Sequence, residues 1–194
     1  GGPLLSLAQE RGVPVFQIDY RSPPRAALAY SLMPLFAFLY RLGLIADPSA
    51  AVKEMVSVLE GVVPALAEST PTDRNPAKQL ARQMHGRTVV AYGAGFLSAV
   101  ARRWKTQINE NAKGWAFSES LPELNHNSVV GYSHPPDAPR YVCLAMLTSP
   151  LLSERIRLRY AVTEELLRQA GVEPQVVSGQ GRYPLSQMMS LVLL

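Results

Sequence analysis

The spacing of apolar positions changes character along the chain, and the changes mark out its elements. Residues 1–11 follow a helical spacing behind two glycines, and Gly12 then introduces Val13-Pro14-Val15-Phe16-Gln17-Ile18-Asp19, a short β-type apolar run. An αβ pair lacking its opening strand is expected there. Helical spacing resumes over residues 24–43 and again over 48–68, where Asp47 followed by Pro48 is a helix start of the N-cap then proline kind. Residues 69–76, rich in Thr, Pro, Asp and Asn, read as a linker.

From Asn75 onward the period alternates regularly. A helix to about His85 is followed by a strand over 88–92, a helix over 96–112, a strand over 115–117, a short helix near 122–130 and a strand over 141–147. A helix over 153–169, a strand over 175–177 and a helix from about Tyr183 complete the series. This α/β alternation predicts four parallel strands in one sheet covered by helices on both faces. The run Leu191-Val192-Leu193-Leu194 carries no cap or glycine, so the last helix is expected to continue. Residues 26–40 are the most membrane-like stretch, flanked by Arg25 and Arg41 and interrupted by Pro34. They fall short of the roughly 20 residues needed to cross a bilayer. A helix packed against protein is expected there.

Composition narrows the classes further. Hydrophobic residues at 47% and charged residues at 18%, without a low-complexity tract, exclude disorder and fibrous repeats. A length of 194 residues suffices for one full α/β domain and part of another. The single cysteine, Cys143, lies in the apolar run 141–147, so neither a disulfide framework nor a thiolate metal site can be built. A cytoplasmic location is expected. The start at Gly1, without an initiating Met or a signal-peptide pattern, suggests an internal start and not a secreted product. The net charge of +4 is spread along the chain, which suits phosphate on a small substrate, and no nucleic-acid motif accompanies it.

Three places carry candidate chemistry. Tyr92-Gly93-Ala94-Gly95 joins a strand to a helix, where backbone N–H groups can approach a ligand; a plain tight turn fits equally well. The helix over 96–112 ends in Asn109-Glu110-Asn111, and a carboxylate against the negative end of a helix dipole is expected to be pushed toward the pKa of a useful base. A solvated helix end is the other reading. In Leu121-Pro122-Glu123-Leu124-Asn125-His126-Asn127 a histidine stands between two amides, and polar groups this dense need hydrogen-bond partners or a ligand. His85 and His134 read as surface residues.

The run Arg103-Trp104-Lys105-Thr106-Gln107-Ile108-Asn109-Glu110-Asn111-Ala112-Lys113, followed by Pro122-Glu123-Leu124-Asn125-His126-Asn127, resembles the signature of bifunctional phosphoglucose/phosphomannose isomerases, which are built from SIS (sugar isomerase) domains. Pro24-Arg25-Ala26-Ala27-Leu28 and the Tyr92 to Gly95 turn resemble two further motifs of that family in the same order. The resemblance covers nearly the whole chain. It implies two SIS domains, each a doubly wound parallel sheet flanked by helices, with the active site between them and completed across a homodimer. Residues 1–68 would then be the C-terminal part of the first SIS domain with connecting helices, 69–76 the linker, and 77–194 the second SIS domain without its C-terminal end.

On the same resemblance Glu110 matches the base that moves a proton between C1 and C2 through a cis-enediol. His126 matches the group that assists ring opening, and Arg25 matches the arginine that stabilises the enediolate. Substrate contacts are expected from Gly93, Ala94, Gly95 and Asn125, with no metal and no cofactor. Two departures stand out. Ser128 occupies a position where the family has glutamate, so a local carboxylate is lost. The family's C-terminal lysine would fall beyond Leu194 and its Ser/Thr phosphate cradle before Gly1. A non-catalytic sugar-phosphate-binding SIS module with a regulatory role is the alternative from another class. A metal-dependent cupin-type isomerase would need a His/Glu cluster that three scattered histidines do not supply.

Overall fold

The computed structural model describes residues 2–194. Contacts divide the chain into two units, Gly1–Pro48 and Ser49–Leu194. In the first unit, helix α1 spans Pro3–Glu10, a 3-10 turn spans Pro24–Ala26, and helix α2 spans Leu28–Arg41. The expected strand over 13–19 is absent. Among the described residues its backbone finds no ladder partner, and an apolar run becomes a strand only when its N–H and C=O groups pair. The segment contributes side-chain contacts instead: Phe16 meets Phe38 edge-on at 5.6 Å between centroids, and Tyr20 stacks on Tyr30 at 3.9 Å. Helix α2 was expected to be covered by protein, yet none of its side chains is buried in this chain, and Leu35 is 56% exposed. Among the described residues, no helix is long and apolar enough to cross a membrane.

The second unit holds the sheet. Strands β1 (Thr88–Ala94), β2 (Ala116–Leu121), β3 (Val142–Thr148) and β4 (Gln175–Ser178) are all parallel, in the order β2-β1-β3-β4. Each expected strand is present, and the sheet is flanked by helices. The near-continuous apolar character of β1 and β3 follows from their central place, where both faces are covered. Helix α5 (Leu97–Gln107) connects β1 to β2, and α6 (Leu124–Asn127) and α7 (Ala138–Tyr141) lie between β2 and β3. Helix α8 (Glu154–Gln169) connects β3 to β4. Because β2 and β3 flank β1 on opposite sides, right-handed crossovers send their helices to opposite faces, and the chain reverses direction between β1 and β3. That point is where ligands enter open α/β sheets.

Close packing of α5 on β1 explains one glycine. A Cβ on Gly93 would lie 2.5 Å from the Leu97 carbonyl oxygen and 3.0 Å from the Ala101 Cβ. Neither backbone nor core can yield there, so Gly93→Ala is expected to lower unfolding stability by about 1–3 kcal/mol, seen as a lower urea midpoint. An unchanged midpoint would show that α5 can lift from the sheet.

The contact division falls ahead of the expected linker because helix α3 (Ser49–Leu66) packs on the C-terminal helix α9 (Pro184–Leu193). Glu54 of α3 accepts a hydrogen bond from the Arg182 backbone just before α9. The polar residues over 69–76 build a hydrogen-bonded corner leading into α4 (Pro76–Met84). Asn75 caps α4 by accepting from the Lys78 N–H at 3.0 Å, and its own amide donates to the Ala67 carbonyl at 3.1 Å.

Candidate active site

The turn from β1 into α5 lies at the carboxyl edge of the sheet, beside the point of reversal. Gly95 takes a left-handed backbone, φ 53, and its carbonyl accepts from the Ser98 N–H at 3.1 Å. Both glycines of the motif are thus required by the backbone, Gly93 for close approach and Gly95 for its φ. Ala94 is buried between them.

The histidine turn also lies at this edge, directly after β2. Helix α6 is a single turn whose Leu124 is buried in the core. Asn125 Nδ2 donates to Thr163 Oγ1 on α8 at 2.7 Å, and Arg159 Nη1 lies 3.5 Å from Asn125 Oδ1. The amide expected to face substrate is therefore engaged by α8. His126, next to it, is exposed, and its ring makes no hydrogen bond among the described residues. Ser128 Oγ lies 2.7 Å from Glu119 Oε2 and 3.0 Å from Asn127 Oδ1. A carboxylate therefore does stand beside position 128, supplied by β2.

Glu119 was not found by sequence reasoning, although a signal exists. Phe117, Glu119 and Leu121 share one face of β2, and a charge between two large apolar residues on a sheet face needs a partner. Glu119 is in register with Tyr92, whose hydroxyl donates to Tyr132 at 3.2 Å. Burial pushes both tyrosine hydroxyls above their ordinary range, and the Glu119 charge adds to the effect.

Glu110 sits elsewhere. Helix α5 widens into a π-helical turn over Ile108–Ala112, which ends at Lys113 in the left-handed region, φ 55. Such turns recur at functional sites. Asn109 Nδ2 donates to the Gly114 carbonyl at 2.8 Å, Asn111 Nδ2 donates to Gln107 Oε1 at 2.7 Å, and the Lys113 ammonium donates to the Glu110 backbone carbonyl. The turn is pinned while the Glu110 carboxylate stays exposed. Because α5 runs back from the carboxyl edge, Glu110 lies at the amino edge of the sheet, before β2, whereas His126 follows β2. The six residues of β2 separate them by roughly 17 Å at strand rise. One copy of this unit does not bring the two groups together.

Arg25 lies exposed in the 3-10 turn Pro24–Ala26 of the first unit. His85 and His134 are exposed, as expected. A cavity of about 280 Å³ between α4, α5 and α9 is lined mainly by apolar side chains, including Leu80, Met84, Trp104 and Val192, and by neither Glu110 nor His126. Among the described residues no three His, Cys, Asp or Glu side chains converge as a metal site would require.

Residues 73–194, the whole sheet with its exposed glutamate and histidine turns, match the bacterial phospho-glucose isomerase C-terminal SIS domain. The chain belongs to this family. A bifunctional phosphoglucose/phosphomannose isomerase of Caldicellulosiruptor bescii is 32% identical over 195 residues, covering 100% of this chain and 58% of the relative. One of Aquifex aeolicus is 31% identical over 193 residues, covering 100% of this chain and 56% of the relative. The chain thus spans a little over half the length of these relatives. A crystal structure of a glucose-6-phosphate isomerase like protein from Thermus thermophilus aligns with a TM-score of 0.59 at 19% identity, over 81% of this chain and 52% of that one. That likeness speaks for the SIS fold.

Proposed function

We propose that the full-length protein interconverts glucose 6-phosphate or mannose 6-phosphate with fructose 6-phosphate through a cis-enediol. Glu110 moves the proton between C1 and C2, His126 passes a proton to and from the ring oxygen during opening, and Arg25 stabilises the enediolate. The backbone at Gly93, Ala94 and Gly95 faces the substrate, and Asn125 borders it with its amide held by Thr163 and Arg159 of α8. The observation that carries this reading is the way Glu110 and His126 are presented. Each is an exposed proton-transfer group on a short turn whose neighbours are hydrogen-bonded down. A binding module needs neither group held out in this way, and general acid–base chemistry needs both.

The separation of Glu110 from His126 within one copy supports a homodimer, in which each site takes Glu110 from one chain and His126 from the other. The buried, unpaired Cys143 suits a cytoplasmic setting. Residues 77–194 form the second SIS domain in this reading, and 1–68 belong to the first with its connecting helices.

His126→Ala in the full-length protein tests the division of labour. Turnover of cyclic glucose 6-phosphate is expected to fall by about 10²-fold or more, while an acyclic analogue keeps most of its rate, because only ring opening is lost. Equal losses on both would remove His126 from ring opening. A wild-type protein that binds sugar phosphates without isomerising them would favour the regulatory module.

A further inference from the structure

We propose that Glu119 is a positioning residue for His126, holding the histidine turn to β2 through the Ser128 hydroxyl; the catalytic consequence rests on the ring-opening role given to His126 above. Helix α6 has four residues, far fewer than a helix needs to persist by its own hydrogen bonds. Its direction is therefore set by what ties it down. Leu124, 1% exposed, plugs the turn into the core. Asn125, one residue before the histidine, is tied at 2.7 Å to the fully buried Thr163 of α8. Ser128, two residues after it, is tied at 2.7 Å to Glu119 of β2.

His126 thus stands between one tie to a helix and one to a strand. The strand tie is the stronger, since a hydroxyl donating to a carboxylate gains roughly twice what a neutral pair does. It also reaches into the sheet, because Glu119 is paired in register with Tyr92 of β1. Removing it leaves the half of the turn that follows the histidine with backbone hydrogen bonds such as Ser128 N–H to the Leu124 carbonyl but without its tie to the strand. Displacements of about 1 Å can cost on the order of 10²-fold in rate.

The test reads His126 directly, in the full-length protein, by proton–carbon spectra of histidine rings with His126→Gln as the assignment control. Glu119→Ala and Ser128→Ala should each shift or broaden the His126 ring signals, while those of His85, at the C-cap of α4, stay in place. Glu119→Gln, whose amide oxygen still accepts from Ser128, should restore most of the wild-type position. In turnover, the two alanine variants should lose about 10- to 100-fold on cyclic substrate and little on an acyclic analogue. The double variant should be no slower than the slower single one, because both changes break the same tie.

Unmoved His126 signals in folded Glu119→Ala and Ser128→Ala proteins would overturn the proposal whether or not the protein is an isomerase. Equal losses on cyclic and acyclic substrates would overturn it too. A wild-type protein without isomerase activity instead defeats the functional reading, and the ring spectra then decide the positioning role alone.

Discussion

Glu110→Gln in the full-length protein is expected to lower kcat for isomerisation of glucose 6-phosphate by about 10² to 10⁴-fold and to stop exchange of the C2 proton with solvent. Glutamine keeps the shape of the side chain and removes only its capacity to take a proton. The π-helical turn around it is pinned by Asn109, Asn111 and the Lys113 ammonium, none of which uses the Glu110 carboxylate. Stability should therefore be unchanged, so the loss can be assigned to chemistry. Unlike His126→Ala, the variant should be equally impaired on acyclic substrate, because proton transfer at C2 follows ring opening. Proton exchange at the wild-type rate would exclude Glu110 as the base and leave the regulatory reading in its place.

The second large effect concerns the distribution of the site over two copies. If the protein is the homodimer proposed above, Glu110→Gln and His126→Ala variants, each impaired alone on cyclic glucose 6-phosphate, are expected to regain about one quarter of wild-type activity when dissociated together and reassembled. Random pairing makes half of the dimers hybrids. In a hybrid one site collects both substitutions and the other collects none, provided that each site draws Glu110 and His126 from different chains. If both groups served one substrate from the same chain, every hybrid site would carry one defect and no activity would return. The β2 separation makes the first outcome the expected one. Subunit exchange, followed with differently tagged variants, confirms that hybrids have formed.

The parallel sheet was legible in the sequence because its signal is local. Apolar runs over 88–92, 141–147 and 175–177, each followed by a helical period, leave few alternatives once both sheet faces must be covered. The first 48 residues were less so. The run over 13–19 has the side chains of a strand, but strand pairing is a property of two segments, and no second segment among the described residues pairs with it. The apolar stretch of α2 was expected to be covered, since periodicity reports which side chains avoid water and not which surface they meet.

The site divides along the same line. Glu110, His126 and the Gly93 to Gly95 turn could be proposed from the sequence because each lies in a short contiguous motif that resembles one of the isomerase family. Three facts about them depended on the fold. The topology of a parallel sheet sends Glu110 to one edge and His126 to the other, since a crossover helix must return to the strand starts before β2 begins. The turn holding Glu110 is a π-helical one, which its Ile-Asn-Glu-Asn-Ala composition does not signal. The carboxylate missing at Ser128 in the linear motif is present in space, nine residues earlier on β2, because strand and following turn fold back to within 2.7 Å. A sequence determines which groups are available and which segments bury them; distances between groups on different segments arise only when strand order and crossover direction are set, and those follow from packing the whole sheet.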